Sequence, residues 1–237
     1  MTVDLKQYRD NLEQPWGKLQ YEITFAQLAH LKDQNILDFG SGFGLTSAFL
    51  AQNNRVTSIE PNKDMLEWND EASYQKMLGS LDELALLKDH SFDVIICHNV
   101  LEYIKVENRK NYIDAFKRLL KPQGLLSIIK HNHVGKVLQT VILENNIPKA
   151  LQLLDGQDFE SVSFAQGWTY SIDDLLELSK MPLEKYQAIR TFYSLQTNDL
   201  KTADNWLKEM TEIELAVCDL KPYKDISFLQ HVWLKNI

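Results

Sequence analysis

The sequence is poor in cysteine, in excess positive charge and in long apolar runs. Its two cysteines, Cys97 and Cys218, have no metal-ligand spacing and make no disulfide framework. Cys97 sits in an apolar, strand-like run and reads as a core residue. No apolar stretch approaches a membrane span. The opening "MTVDLKQYRDNLEQ" is too polar for a signal peptide, so a cytoplasmic protein is expected. Lys and Arg number 25 against 33 Asp and Glu, a net charge of −8. That balance advertises no broad phosphate-binding face and weighs against nucleic acid, although a local basic groove stays possible. Repeats, low-complexity tracts and evident linkers are also missing. The length of 237 residues suits one α/β domain with a real core, or a domain with a cap.

What is present is an alternation. Residues 1–34 read as a helical N-terminal cap, broken by "QPWGK". "NILDF", "RVTSIE", a weak strand near Tyr74 to Leu78, "SFDVIICHNV" and "LLSIIKHN" follow as strands. Helices lie between them: about Leu45 to Gln52, "PNKDMLEWNDEA", and "ENRKNYIDAFKRLL" stopping before "KPQG". Such alternation implies a mostly parallel sheet with helices on both faces. From 132 to 170 no clear strand is expected, and this segment reads as a lid inserted after strand five. "SIDDLLELSKM" reads as a helix, "LEKYQAIRTFYSL" as a strand, "TADNWLKEMTEIELAVCDL" as a long helix and "ISFLQHVWLKN" as a closing strand. The last two strands are suited to an antiparallel edge.

"NILDFGSGFG" carries the chemistry. Gly40, Gly42 and Gly44 give G-x-G-x-G, whereas the dinucleotide fingerprint is G-x-G-x-x-G. Asp38 stands two residues before Gly40; a carboxylate there repels a pyrophosphate and favours a cation. Glycines at 40 and 42 let a ligand approach the backbone closely. Glu60 closes the second strand, where a carboxylate can accept both hydroxyls of a ribose. An NAD-dependent oxidoreductase uses the same ribose device, so Glu60 alone does not choose the cofactor. Together with Asp38 the pattern favours S-adenosylmethionine, which has a ribose, a sulfonium and an amino-acid tail but no phosphate.

"LDFGSGFG", "SIEPNKDML", "LGSLDEL", "FDVIICHNVLEYI" and "LKPQGLLSI" resemble, in order and spacing, the class I S-adenosylmethionine-dependent methyltransferases. The resemblance implies a Rossmann-like α/β fold: a mostly parallel seven-stranded sheet, an antiparallel edge and helices on both faces. It implies that Gly40, Ser41 and Gly42 line the methionine moiety and that Glu60 binds ribose. Pro61 and Met65 border the adenine, Ser80, Leu81 and Asp82 touch the base edge, and His98 closes the site after the fourth strand. Asp82 read on its own is equally a solvated helix cap, Met65 a core residue, and His98 a core histidine.

His98 emerges at the carboxyl end of a central strand, where ligands bind in open α/β sheets. It is the candidate catalytic residue, for position and not for proton transfer. His131, Asn132 and His133 emerge from the fifth strand without an acidic partner, so no metal site is expected; His131 and Asn132 are substrate-side candidates. Methyl transfer needs alignment and water exclusion more than acid–base machinery. The flanks are similar to the bacterial tRNA 5-carboxymethoxyuridine methyltransferase subgroup, through "GKLQ", "HNVLEY" with Tyr103, Asn132 with Gly135, and "ELAVCDLKPYKDISFLQHVWL". In that subgroup an N-terminal-helix arginine reaches the cofactor. Gln20 stands at the matching position here, with Lys18 a possible substitute and Trp16 a possible cover. Basic residues for tRNA are sparse: Lys117, Arg118, Lys121, Lys221 and Lys224. The expected function is methyl transfer to a small molecule. The alternatives are carboxyl methylation of a tRNA wobble uridine and, less favoured, NAD-dependent oxidoreduction. Oligomeric state is not encoded legibly.

Overall fold

The computed structural model describes residues 5–68, 73–156, 159–160, 166–201 and 203–237. The chain opens with α1 (Leu5–Leu12) and α2 (Pro15–Leu28). The alternation follows: β1 (Asn35–Phe39), α3 (Leu45–Ala51), β2 (Arg55–Glu60), α4 (Lys63–Leu66), β3 (Gln75–Leu78), α5 (Leu81–Leu86), β4 (Phe92–His98), α6 (Val106–Leu119) and β5 (Leu120–His131). Next come α7 (His133–Ile142), α8 (Ile147–Leu154), β6 (Phe159–Glu160), β7 (Gln166–Gly167), α9 (Ile172–Ser179) and β8 (Leu183–Ile189). The chain finishes with α10 (Trp206–Val217), α11 (Tyr223–Ile226) and β9 (Leu229–Lys235).

Seven strands form one sheet in the order β3-β2-β1-β4-β5-β9-β8, mostly parallel with an antiparallel edge. β1 pairs in parallel with both β2 and β4, so the strand order reverses beside β1. A crevice opens at the carboxyl ends of strands at such a switch point. The strands can lie there because they are apolar on both faces: Ile36, Leu37, Phe39, Val94, Ile95 and Ile96 are all buried.

The chain divides into two compact units. The first comprises residues 1–26, 130–171 and 186–231; the second comprises 27–129, 172–185 and 232–237. In the second, Leu28, Leu31, Ile36, Leu50, Val56, Val94, Ile96 and Trp233 make one core cluster. α6 turns Ile113, Phe116 and Leu119 inward and carries a Lys110–Asp114 pair outside. In the first unit, Asn132 holds the start of α7 to the turn before β9: its Nδ2 donates to the carbonyls of Asp225 and Ser227, each at 2.8 Å.

Five elements differ from the sequence expectation: β5, β8, the β6–β7 pair and α4. β5 begins at Leu120 and runs through "KPQG", which reads as a helix stop. The register slips between Phe92 and Val94, Gln123 takes φ 68°, and its amide donates to the Asn236 carbonyl at 2.6 Å. A bulge stitched to the chain end thus carries the strand through a Pro-Gly turn signal. β8 stops at Ile189, because Arg190 turns the chain with φ 64° and a 3-10 turn follows at Tyr193–Leu195. Phe159 and Glu160 pair antiparallel with Gly167 and Gln166, a short ladder inside a segment read as strandless. α4 is one turn, four residues long, and residues 69–72 of the longer expected helix lie outside the described residues.

Candidate functional site

The site lies in the second unit, where β1 runs into the glycine loop. Gly40, Gly42 and Gly44 have φ of 73°, 56° and 75°, a region that side chains with a Cβ adopt reluctantly. A Cβ on Gly40 would overlap Val100 Cγ2, and one on Gly44 would overlap the Tyr74 hydroxyl. The loop is held to the neighbouring strand by the amides of Gly40 and Ser41, which donate to the Ile59 carbonyl at 2.8 and 3.2 Å. Helix α3 starts directly after Gly44.

Glu60 ties the loop to β2. Its Oε2 accepts from the Gly42 amide and its Oε1 from the Asn62 amide, both at 2.9 Å. The residue is buried, and burial raises the carboxyl pKa against the lowering effect of the two amide bonds. A carboxylate has about four lone-pair sites, so about two remain for a vicinal diol. The Gly42 amide is already spent on Glu60, and an amide so spent cannot cradle a phosphate. Asp38 is only 3% exposed. Its Oδ2 accepts from Ser47 Oγ on α3 at 2.6 Å. Burial lifts its pKa to about 6; the Ser47 hydrogen bonds oppose that rise and Glu60 adds to it. The sequence reading sets this carboxylate against the ligand; the structure buries it and engages it with Ser47. Ser41 Oγ is buried without a hydrogen-bond partner among the described residues.

Asn62 caps α4 through a 3.2 Å bond from the Met65 amide. Met65 is buried, with Cε 3.3 Å from where a Gly42 Cβ would stand, while Pro61 is exposed. At the start of α5, the Ser80 amide donates to Glu83 at 2.7 Å, Leu81 is half-buried and Asp82 is exposed. His98 is half-buried at the end of β4, with Nε2 2.8 Å from Ser127 Oγ. Burial pushes its pKa down to about 3, so the imidazole is neutral at ordinary pH. Tyr103 ends the 3-10 turn Leu101–Tyr103.

The remaining candidates belong to the first unit. Gln20 Oε1 accepts from Arg190 Nη1 at 3.3 Å. Lys18 makes an exposed pair with Glu13 at 3.5 Å. Trp16 is on α2, but its side chain lies outside the described residues. The His131 ring meets Phe228 edge-on at 5.4 Å; burial, then Lys136, Arg190 and Lys130, hold its pKa well below the usual value. Asn132 spends its amide N–H groups on backbone carbonyls.

The sequence reading missed Asn62, which follows Pro61 directly, and Arg190, hidden in a run read as strand. A charged residue in the middle of "AIRTFY" was the available signal. No cluster among the described residues has the groups to hold a metal ion, and no helix among them is long and apolar enough to cross a membrane.

Residues 37–128 match the family model described as a methyltransferase domain. The mouse thiol S-methyltransferase TMT1B is 30% identical over 120 residues, which are 45% of this chain and 48% of the mouse protein. The chain thus spans about half the length of that curated relative. A methyltransferase structure from Methanosarcina mazei, described as S-adenosylmethionine-dependent, superposes with a TM-score of 0.60 at 15% identity, over 90% of this chain and 96% of its own. The N-methyltransferase NodS of Bradyrhizobium japonicum, solved with S-adenosylhomocysteine, gives 0.56 at 12% identity, over 95% and 90%. The last two likenesses are of fold.

Proposed function

We propose that residues 37–128 form a class I S-adenosylmethionine-dependent methyltransferase domain and that the protein methylates a small-molecule acceptor. The observation that carries the reading is Glu60 bridging the Gly42 and Asn62 amides. It supports a ribose site through a buried carboxylate with acceptors to spare, and it withdraws the loop amide that a dinucleotide phosphate would need. The unpartnered Ser41 hydroxyl and the glycine at 40, where any Cβ would meet Val100, fit a ligand with polar groups lying against the backbone.

S-adenosylmethionine supplies, when bound, a methyl group on a sulfonium that a nucleophile can take directly. The protein's part is binding and alignment. Glu60 and Ser41 offer hydrogen bonds to the cofactor, and the buried Asp38–Glu60 pair biases the loop toward positive charge. His98, neutral and braced on Ser127, contributes shape and a fixed polar edge rather than proton abstraction.

A small acceptor is favoured over tRNA by the state of the basic residues. Arg118 pairs with Asp89, Lys121 with Asp93 at 2.7 Å, and Lys221 with Asp225 at 3.8 Å, while Lys224 lies over the Tyr186 ring. Cations already paired with carboxylates, as Arg118, Lys121 and Lys221 are, release few counterions to a phosphate backbone. The name of the mouse relative assigns it a thiol acceptor, and that of NodS assigns methylation at nitrogen. The test is calorimetry with S-adenosylhomocysteine and with NADH, followed by labelled-methyl transfer to thiols, amines, phenols and bulk tRNA. Tight NADH binding without S-adenosylhomocysteine binding would remove the cofactor assignment; label in tRNA alone would remove the small acceptor.

A further inference from the structure

The first unit holds a second constellation that the methyltransferase reading does not use. At the end of β8 the chain turns left-handed at Arg190. Arg190 is 8% exposed, with its guanidinium 5.2 Å from the Tyr193 ring centre and 4.7 Å from that of Phe228. Lys201, from the next turn, puts its ammonium 3.8 Å from the same Tyr193 ring. Two cations on one aromatic ring repel each other; burial first, and then Arg190, lower the Lys201 pKa to about 8.

The acid facing Arg190, Glu214, shares its field but spends its hydrogen bonds on the backbone, while Arg190 Nη1 donates to Gln20 Oε1 at 3.3 Å. Glu214 on α10 gives Oε2 to the Thr191 amide at 2.6 Å and Oε1 to the amides of Phe192 and Tyr193 at 2.8 and 2.9 Å. Lys201 bonds Asn198 Oδ1 at 3.0 Å and meets no carboxylate at ion-pair distance among the described residues. On the same turn, the Thr191 and Ser194 hydroxyls are buried without hydrogen-bond partners among the described residues.

We propose that Arg190 and Lys201, arrayed on Tyr193, form a subsite for the oxyanion of a small ligand, a carboxylate or a phosphate. An incoming oxyanion relieves the repulsion between the cations and meets both a planar fork and a compact point charge. Neighbouring hydroxyls can satisfy its remaining lone pairs. A cationic ligand gains nothing from this arrangement.

The experiment titrates inorganic phosphate and, separately, acetate into the full chain without cofactor, with choline as the cationic control. At least one anion binds saturably, and choline does not. Binding weakens by about tenfold or more in Lys201→Met and in Arg190→Lys, a loss of about 1.4 kcal/mol. Phosphate alone makes the ligand a phosphoryl compound, acetate alone a carboxylate. Because Arg190 is buried, Lys201→Met is the variant that decides if Arg190→Lys does not fold. The proposal is overturned if neither anion saturates, or if Lys201→Met binds as the parent does. S-adenosylhomocysteine titrated into Lys201→Met separates this subsite from the cofactor site. Retention within about twofold supports the proposal; its loss assigns Lys201 to the cofactor and overturns it.

Discussion

Glu60 in the second unit and Glu214 in the first are both buried carboxylates that accept backbone amides. Glu60 takes two, from Gly42 inside the glycine loop and from Asn62 just after β2, and keeps about half its lone pairs. Glu214 takes three consecutive amides and keeps little. The same bond therefore serves two ends. On the proposed reading, a carboxylate with spare acceptors beside a loop lacking side chains serves as a receptor, whereas one saturated by a turn is a staple. The largest effect should separate them. Glu60→Ala should weaken S-adenosylhomocysteine binding by about 100-fold or more, since two charged hydrogen bonds carry roughly 1.5–3 kcal/mol each. Calorimetry measures it, and affinity retained within tenfold would break the comparison.

Asp38 sharpens the contrast, because its carboxylate accepts from the Ser47 hydroxyl and amide. Burial dominates, and the folded pKa of about 6 stands above the ordinary 3.8. The folded state thus holds the proton more tightly than the unfolded chain does. The stability that Asp38 contributes is fully present below pH 3.8 and is lost as pH rises through about 6. At 1.36 kcal/mol per pH unit the loss is at most about 3 kcal/mol. Asp38→Asn should lose this slope. Urea denaturation between about pH 4 and pH 7 reads it, and parallel curves for the two proteins would show that Asp38 does not titrate in the fold.

Glu214→Gln should act on stability and spare the cofactor. One amide oxygen replaces two charged ones, so some of the amides at Thr191, Phe192 and Tyr193 lose their acceptor. The cost is about 1–3 kcal/mol, a fall of a few degrees in Tm. S-adenosylhomocysteine affinity should hold within about twofold. A loss matching that of Glu60→Ala would make Glu214 a receptor as well.

This contrast also explains what the sequence disclosed. The positions of Gly40, Gly42 and Glu60 were legible because each turns a loop or closes a strand in a repeating β-α frame; the ligand roles given to them remain part of the proposal. The frame was readable where apolar runs alternate with helical patterns, as from Asn35 to Leu119. Glu214 looked like one more acid in an amphipathic helix, since its partners lie some 22 residues away. Arg190 was absorbed into a strand because "YQAIRTFY" is rich in strand-forming residues, and only its backbone angle ends the ladder. "KPQG" misled in the opposite direction. Its turn chemistry is real, but pairing with Asn236 draws it into β5. Contacts far apart in sequence overrode the local signal at Glu214 and at "KPQG", and a local left-handed turn did so at Arg190.

The smallest effect concerns His98, which sits between receptor and staple: a ring nitrogen engaged by Ser127, on a strand end that faces the crevice. Burial holds its pKa at about 3, below the ordinary 6.5, so it carries no proton to lose across the range where enzymes are assayed. A positioned general base typically contributes about 100-fold or more to rate. His98→Gln, which retains a hydrogen-bonding partner for Ser127, should therefore lower kcat by less than about tenfold. The pH profiles of the two proteins should also share the same limbs. A hundredfold loss accompanied by disappearance of a limb near pH 6.5 would mean that ligand binding lifts the His98 pKa and recruits it as a base.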